Sequence, residues 1–190
     1  FLSAFPAPAS DVPYDNVRAN RAASMSSDIG LMFMKLAGIQ PNYDELVRAT
    51  KAYKEKNPMA QAEFLASEKI RLQTRFAGID PRSDILVIRA GMNTIFDRKE
   101  DGTATLKLGY PKNSIFYFPY YYGGYPIALF INGIEVFEEI SLTQAEAADV
   151  GLYIPSNGSV TMLLELKARA VDIKKPVKLD GLRQYPLLTD

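Results

Sequence analysis

The feature that most constrains the fold is a change of hydrophobic period near Ser83. Before it, apolar residues recur at helical spacing; after it, they alternate as strands do. In "SSDIGLMFMKLAGIQP", Ile29, Met32, Phe33 and Leu36 share one helical face. Leu31 and Met34 widen that face, so this helix is buried nearly all round or lies at an interface, with Ser26 or Ser27 as the expected cap. A second helix is expected from Asn42, with Glu45 completing a capping box and Lys51, Lys54, Glu55 and Lys56 on its exposed side. A third opens with Asn57-Pro58, a cap followed by proline in the first turn, and carries Leu65, Leu72 and Phe76 on one stripe. "KLAGIQP" and "RFAGIDP" are nearly the same phrase 40 residues apart. They are read as helix stops, with Gly38 and Gly78 left-handed, and not as a repeat.

Beyond Ser83 the elements shorten. "DILVIRAGMNTIF" is a long apolar strand, and Asp101-Gly102 is the turn before "TATLKLGY". "SIFYF" is a further strand, and Asn132-Gly133 is the hairpin signal between Ile127–Ile131 and Ile134–Phe137. A one- to two-turn helix is expected at "SLTQAEAADVG", capped by Ser141 or Thr143, with Gly151 beyond its end. Asn157-Gly158-Ser159 matches a glycosylation acceptor but reads as a turn. Val160, Met162, Leu164, Leu166, Ala168 and Ala170 then face Thr161, Glu165, Lys167 and Arg169 across the clearest strand of the chain. The last stretch, basic and punctuated by proline, is expected to pack over the surface.

The fold class is therefore α+β: an N-terminal helical segment of about three helices packed on an antiparallel sheet or sandwich of six to eight strands. Four segments are expected: a Pro/Ala-rich arm or signal-peptide remnant over 1–13, a helical subdomain over 14–82, an antiparallel β subdomain over 83–175, and a tail over 176–190.

Composition narrows the chemistry. The 190 residues contain no Cys, His or Trp. That excludes thiol catalysis, disulfides, relays through histidine, and cysteine or imidazole metal sites supplied by this chain. Lys plus Arg and Asp plus Glu balance at 22 each, against the positive excess that nucleic-acid binding needs. No apolar run is long enough for a membrane-spanning helix. Ala7-Pro8-Ala9 before Ser10 resembles a small-x-small cleavage site. With the lack of cysteine, it leads to the expectation of an extracytoplasmic, periplasmic or secreted, bacterial domain. No cofactor, catalytic residue or metal site is expected.

Ten of the 21 Phe and Tyr residues lie between Tyr110 and Phe137. Among them, "FPYYYGGYP" places Tyr120, Tyr121, Tyr122 and Tyr125 around Gly123 and Gly124, between two prolines. Flat, rigid tyrosines suit a contact surface, and these six residues are the candidate site. The partner is expected to be a protein, with a cell-envelope glycan as the second possibility. Because neighbours on an extended chain alternate, either Tyr121 or the pair Tyr120 and Tyr122 must be exposed.

Two alternatives stand beside this reading. One is a carboxylate-dependent hydrolase using Glu135, Glu138 or Glu139 with Asp84 or Glu165. Glu135 and Glu139 on one strand face would be about 13 Å apart, beyond the roughly 5–9 Å of glycosidase pairs. The other is a structural subunit that oligomerises through a sheet edge or the first helix.

Overall fold

The computed structural model describes residues 24–109, 116–134, 138–154 and 158–190. The expected arm over 1–13, the start of "SIFYF", Val136 and Phe137 of the second hairpin strand, and Asn157 lie outside them. Helices α1 (Ser26–Ala37), α2 (Tyr43–Ala49), α3 (Lys51–Lys54) and α4 (Pro58–Gly78) come first. Strands β1 (Ile85–Arg98), β2 (Ala104–Leu108), β3 (Phe118–Tyr122), β4 (Tyr125–Ile131) and β5 (Glu139–Leu142) follow. After them come α5 (Gln144–Tyr153), β6 (Ser159–Val171), β7 (Val177–Leu179) and β8 (Leu182–Thr189). The expected class holds: α+β, with helices packed on a mostly antiparallel eight-stranded sheet. No described helix is long and apolar enough to cross a membrane.

The chain forms two compact units, interleaved along the sequence and not divided at residue 83. Its described residues fall, in the larger, within 24–88, 116–134 and 164–190, whose strands run β3-β4-β8-β6 with β7 on β8. Its core joins α1, α2 and α4 to the inner faces of these strands through Ile29, Phe33, Val47, Leu72, Phe76, Ile127, Leu129, Leu166 and Leu187. The smaller unit contains most of β1, then β2, β5 and α5. Its core is Ala104, Leu142, Ala147 and Val150.

Local chemistry explains the helix ends. α1 is buried all round over Ile29–Met34. Its cap is Met25, not Ser26 or Ser27: the Asp28 carboxylate accepts the Met25 N–H at 2.7 Å and also pairs with Arg75 of α4. Gly38 is left-handed at φ 67°, and Ile39 N–H returns to the Met34 carbonyl at 2.9 Å. Gly78 does not take that conformation; α4 ends through the Ile79 N–H on the Phe76 carbonyl. The helix expected from Asn42 breaks at Thr50. Its hydroxyl donates to the Val47 carbonyl at 2.7 Å and accepts the Tyr53 N–H at 3.1 Å, ending α2 and starting α3. Asn57 caps α4 as expected, accepting the Ala60 N–H at 2.9 Å. α5 is capped by Thr143 with Glu146 in a capping box, and it runs through Gly151 to Tyr153.

The largest departure concerns 176–190. The expected surface tail is instead β7 and β8, and β8 lies between β4 and β6, parallel to β4. Leu187 and Thr189 are fully buried. Proline in a central strand usually argues against one, but Pro186 falls where the antiparallel partner of β8 changes. β7 pairs with Leu182–Gln184, and β6 pairs from Leu187 onward. Two further corrections follow. β4 pairs with β3 and β8, so Asn132-Gly133 is not the turn of a hairpin built on β4. The register of β6 also shifts between Ala168 and Ala170, which exposes Ala170 and turns Val171 to the core.

Removing β7 and β8 by truncation after Lys175 is expected to abolish cooperative unfolding of the larger unit; an unchanged Tm would contradict a central β8. Leu187→Ala is expected to cost about 3 kcal/mol in urea unfolding.

Candidate functional site

The tyrosine segment is a tight β-hairpin. Tyr122 pairs with Tyr125 across Gly123-Gly124, whose φ angles are 56° and 82°. Two consecutive positive φ values define the type I′ turn that matches strand twist, and glycine adopts them without strain. Gly123 is constrained a second time. A Cβ there would come within 2.6 Å of Met34 Cε and 2.8 Å of Leu46 Cδ2, whereas at Gly124 it would meet open space.

The prolines fit the same geometry. Counting back from the closing pair, Pro119↔Ala128 and Tyr121↔Pro126 fall between hydrogen-bonded pairs, so neither proline nitrogen faces into the hairpin ladder. Pro126 also precedes Ile127, where pairing with β8 begins. β3 is an edge strand, and Pro119 withholds a donor from its open side, which blunts it against strand addition.

Alternation then sorts the aromatic rings. Tyr120 and Tyr122 face the helices and pack on the core. A Cβ on Gly30 of α1 would fall on the Tyr122 ring, so glycine at that point of a helix is what admits the hairpin. Tyr125 meets Phe33 at 5.7 Å and Tyr185 at 5.8 Å between ring centroids. Burial raises the pKa of both Tyr120 and Tyr122; for Tyr122 the nearby Arg71 and Arg75 cations oppose the rise. Tyr121 is turned outward and 68% exposed. Of the six expected contact residues, Tyr121 and Gly124 face away from the core, Tyr120, Tyr122 and Tyr125 pack half-buried against it, and Gly123, itself exposed, sits over Met34 and Leu46 at the hairpin tip.

Tyr121 does not stand alone on its face. The registers place Pro119 and Tyr121 of β3, Pro126, Ala128 and Phe130 of β4, and Gln184, Pro186 and Leu188 of β8 on the same side of the sheet. None of the eight is charged. Ala128 and Gln184 are buried, and the Tyr117 ring packs on Phe130 at 6.0 Å. Tyr121 and Leu188, the latter 45% exposed, are the large side chains left in solvent. Sequence reasoning missed the β8 half of this face because it treated that segment as a tail. The signal that could have found it is Asp180-Gly181, whose φ angles of 49° and 80° make the turn between β7 and β8.

Among the described residues, the Glu139 and Asp84 carboxylates have separate partners. Glu135 lies outside the described residues. Glu139 sits opposite Lys107 on β2, with 4.0 Å between the charged atoms. The Asp84 carboxylate accepts the Asp80 N–H at 3.0 Å. A general acid needs a raised pKa, yet those of Asp80, Asp101 and Glu146 all move down. The main causes are the Arg82 N–H, the Thr103 hydroxyl and the Thr143 N–H respectively. Among the described residues no cluster of three or more acidic groups could hold a metal.

No protein-family model, curated protein or solved structure matches this chain.

Two outcomes are expected. Tyr122→Ala lowers unfolding free energy by about 3 kcal/mol, whereas Tyr121→Ala changes it by less than about 0.5 kcal/mol; urea denaturation of both variants is the check. The raised tyrosine pKa values favour the neutral hydroxyl in the folded state. Their contribution is therefore whole below pH about 10 and lost as pH rises through the folded-state values. Wild-type stability should fall in that alkaline window, and less steeply in the Tyr120→Phe/Tyr122→Phe double variant.

Proposed function

We propose that this chain is a non-enzymatic binding domain whose partner is a protein, docking on the outward face of β3, β4 and β8 around Tyr121. The observation that carries the reading is a charge-free row of positions across three neighbouring strands, with a large aromatic exposed at its edge. Tyr121 and Leu188 supply the exposed apolar side chains of that row, and exposed apolar surface is what marks interaction sites on folded domains. Interface centres are depleted in charge and anchored by rigid aromatics. Tyr121 meets that description: its strand is pinned by Tyr120 and Tyr122 in the core, so little freedom remains to be lost on binding.

A protein suits this face better than a glycan. Sugar recognition needs polar groups placed beside the aromatic platform, and the polar residue on these rows, Gln184, is buried with its amide on the Tyr117 hydroxyl at 3.2 Å. Pro119 favours docking through side chains over pairing along the β3 edge. An extracytoplasmic site of action, compatible with the absence of cysteine, belongs to the same proposal, and cell fractionation tests it.

Photocrosslinking from position 121 in cells is expected to trap a discrete partner. Tyr121→Ala should weaken binding of that partner by about 30-fold, the loss of a hot-spot residue worth about 2 kcal/mol, with Tm unchanged. Met59, 92% exposed on α4, is the control position. The same adducts from both positions, or full affinity in Tyr121→Ala, would overturn the reading. An adduct of the chain with itself would identify the partner as a second copy.

A further inference from the structure

A second surface of the larger unit has different chemistry. The last turn of α1 (Lys35, Leu36), the turn after α4 (Asp80, Pro81, Arg82) and β6 (Lys167, Ala168, Arg169) line an open cleft of about 440 Å³. That volume lies within the range of small-molecule sites. Four of these eight residues are cations and one is an acid, in a chain whose formal charge is zero.

The acid is already engaged. The Asp80 carboxylate accepts the Arg82 N–H at 3.0 Å and the Ser83 hydroxyl at 2.9 Å. Two of the cations are held in place. The Lys35 ammonium donates to the Phe76 carbonyl at 3.1 Å and lies 4.8 Å from the Phe76 ring centroid. Arg169 pairs with Asp190. Among the described residues the side chains of Arg82 and Lys167 form no ion pair.

Compensation of helix dipoles accounts for Lys35, which sits in the last turn of α1 and touches the C-terminal turn of α4. It does not account for Lys167 and Arg169, which belong to a strand. A regular strand would also aim those two away from Ala168. That alternation holds here: Leu166 and Ala168 are buried while Lys167 and Arg169 are exposed, so both cations stand on the solvent side where β6 borders the cleft.

We propose that this cleft binds a small ligand through an oxyanion, a phosphate or carboxylate group, with Arg82 and Lys167 as its direct partners. Arg169, oriented by Asp190, and Lys35, fixed on α4, supply the surrounding positive potential. Guanidinium and ammonium donors reaching in from separate segments suit an anion with several acceptor oxygens, and concave walls strengthen their field. The site is independent of the Tyr121 face.

The test is an amide NMR titration of the intact chain with sodium phosphate and, separately, sodium acetate, each against sodium chloride at equal ionic strength. Saturable shifts confined to residues 35–36, 80–82 and 167–169 are expected with at least one oxyanion. Phosphate alone would identify a phosphate ligand, and acetate alone a carboxylate. Arg82→Ala and Lys167→Ala should each weaken binding about tenfold, the loss of one charge-assisted hydrogen bond, and the double variant should not saturate. Lys174→Ala, which removes a charge outside the cleft, should bind as wild type. Linear shifts reproduced by chloride, or equal affinity in the double variant, would overturn the proposal. Both substituted side chains are exposed, and circular dichroism of each variant verifies its fold.

Discussion

The seating of the β3–β4 hairpin on α1 is the constraint on which the larger unit depends. α1 is apolar on every side over Ile29–Met34, so it needs partners all round. The hairpin supplies one side, and Gly30 lets it approach, because any larger residue would displace the Tyr122 ring. Gly123 repeats the arrangement at the hairpin tip, against Met34 and Leu46. Two glycines, one in a helix and one in a turn, thus serve a single contact. Burying the tyrosine rings there provides the apolar area a short two-stranded ribbon lacks by itself.

This anchoring gives the outward face its character. With Tyr120, Tyr122 and Tyr125 fixed in the core, the strand period leaves Tyr121 with the opposite direction. The parallel pairing of β4 with β8 then extends the same face with Pro186 and Leu188. The apolar face and the basic cleft draw on the same unit but on different devices. The first comes from uncharged positions on three paired strands, the second from cations that three separate segments bring to one opening.

Turn chemistry was partly legible. Gly123, Gly124, Gly102 and Gly38 take the positive φ angles their contexts suggested. Asn132-Gly133 also has positive φ at glycine, yet it does not close a hairpin on β4, because β8 arrives from residues 182–189 to take that side. A dipeptide specifies a bend, while the strand it delivers depends on competition among all available partners. Asp180-Gly181 carried an equally strong signal, obscured by the neighbouring lysines and prolines. Among the tyrosines, alternation limited the outcome to two patterns; whether Tyr121 or its neighbours faced inward depended on where the helices lay.

By itself the sequence determined the class and the excluded chemistry. Period and capping residues specify helices and strands locally, since they act over a few residues through backbone geometry. The lack of Cys and His removes whole reaction types whatever the fold. Tertiary structure alone decided the rest: β8 in the middle of the sheet, three tyrosines in the core with Tyr121 outside, and four cations around one cleft. These depend on contacts between segments far apart in the sequence, such as the Phe33 ring on Tyr185. Burial and charge at such points are set by which surfaces meet, and no local pattern encodes that.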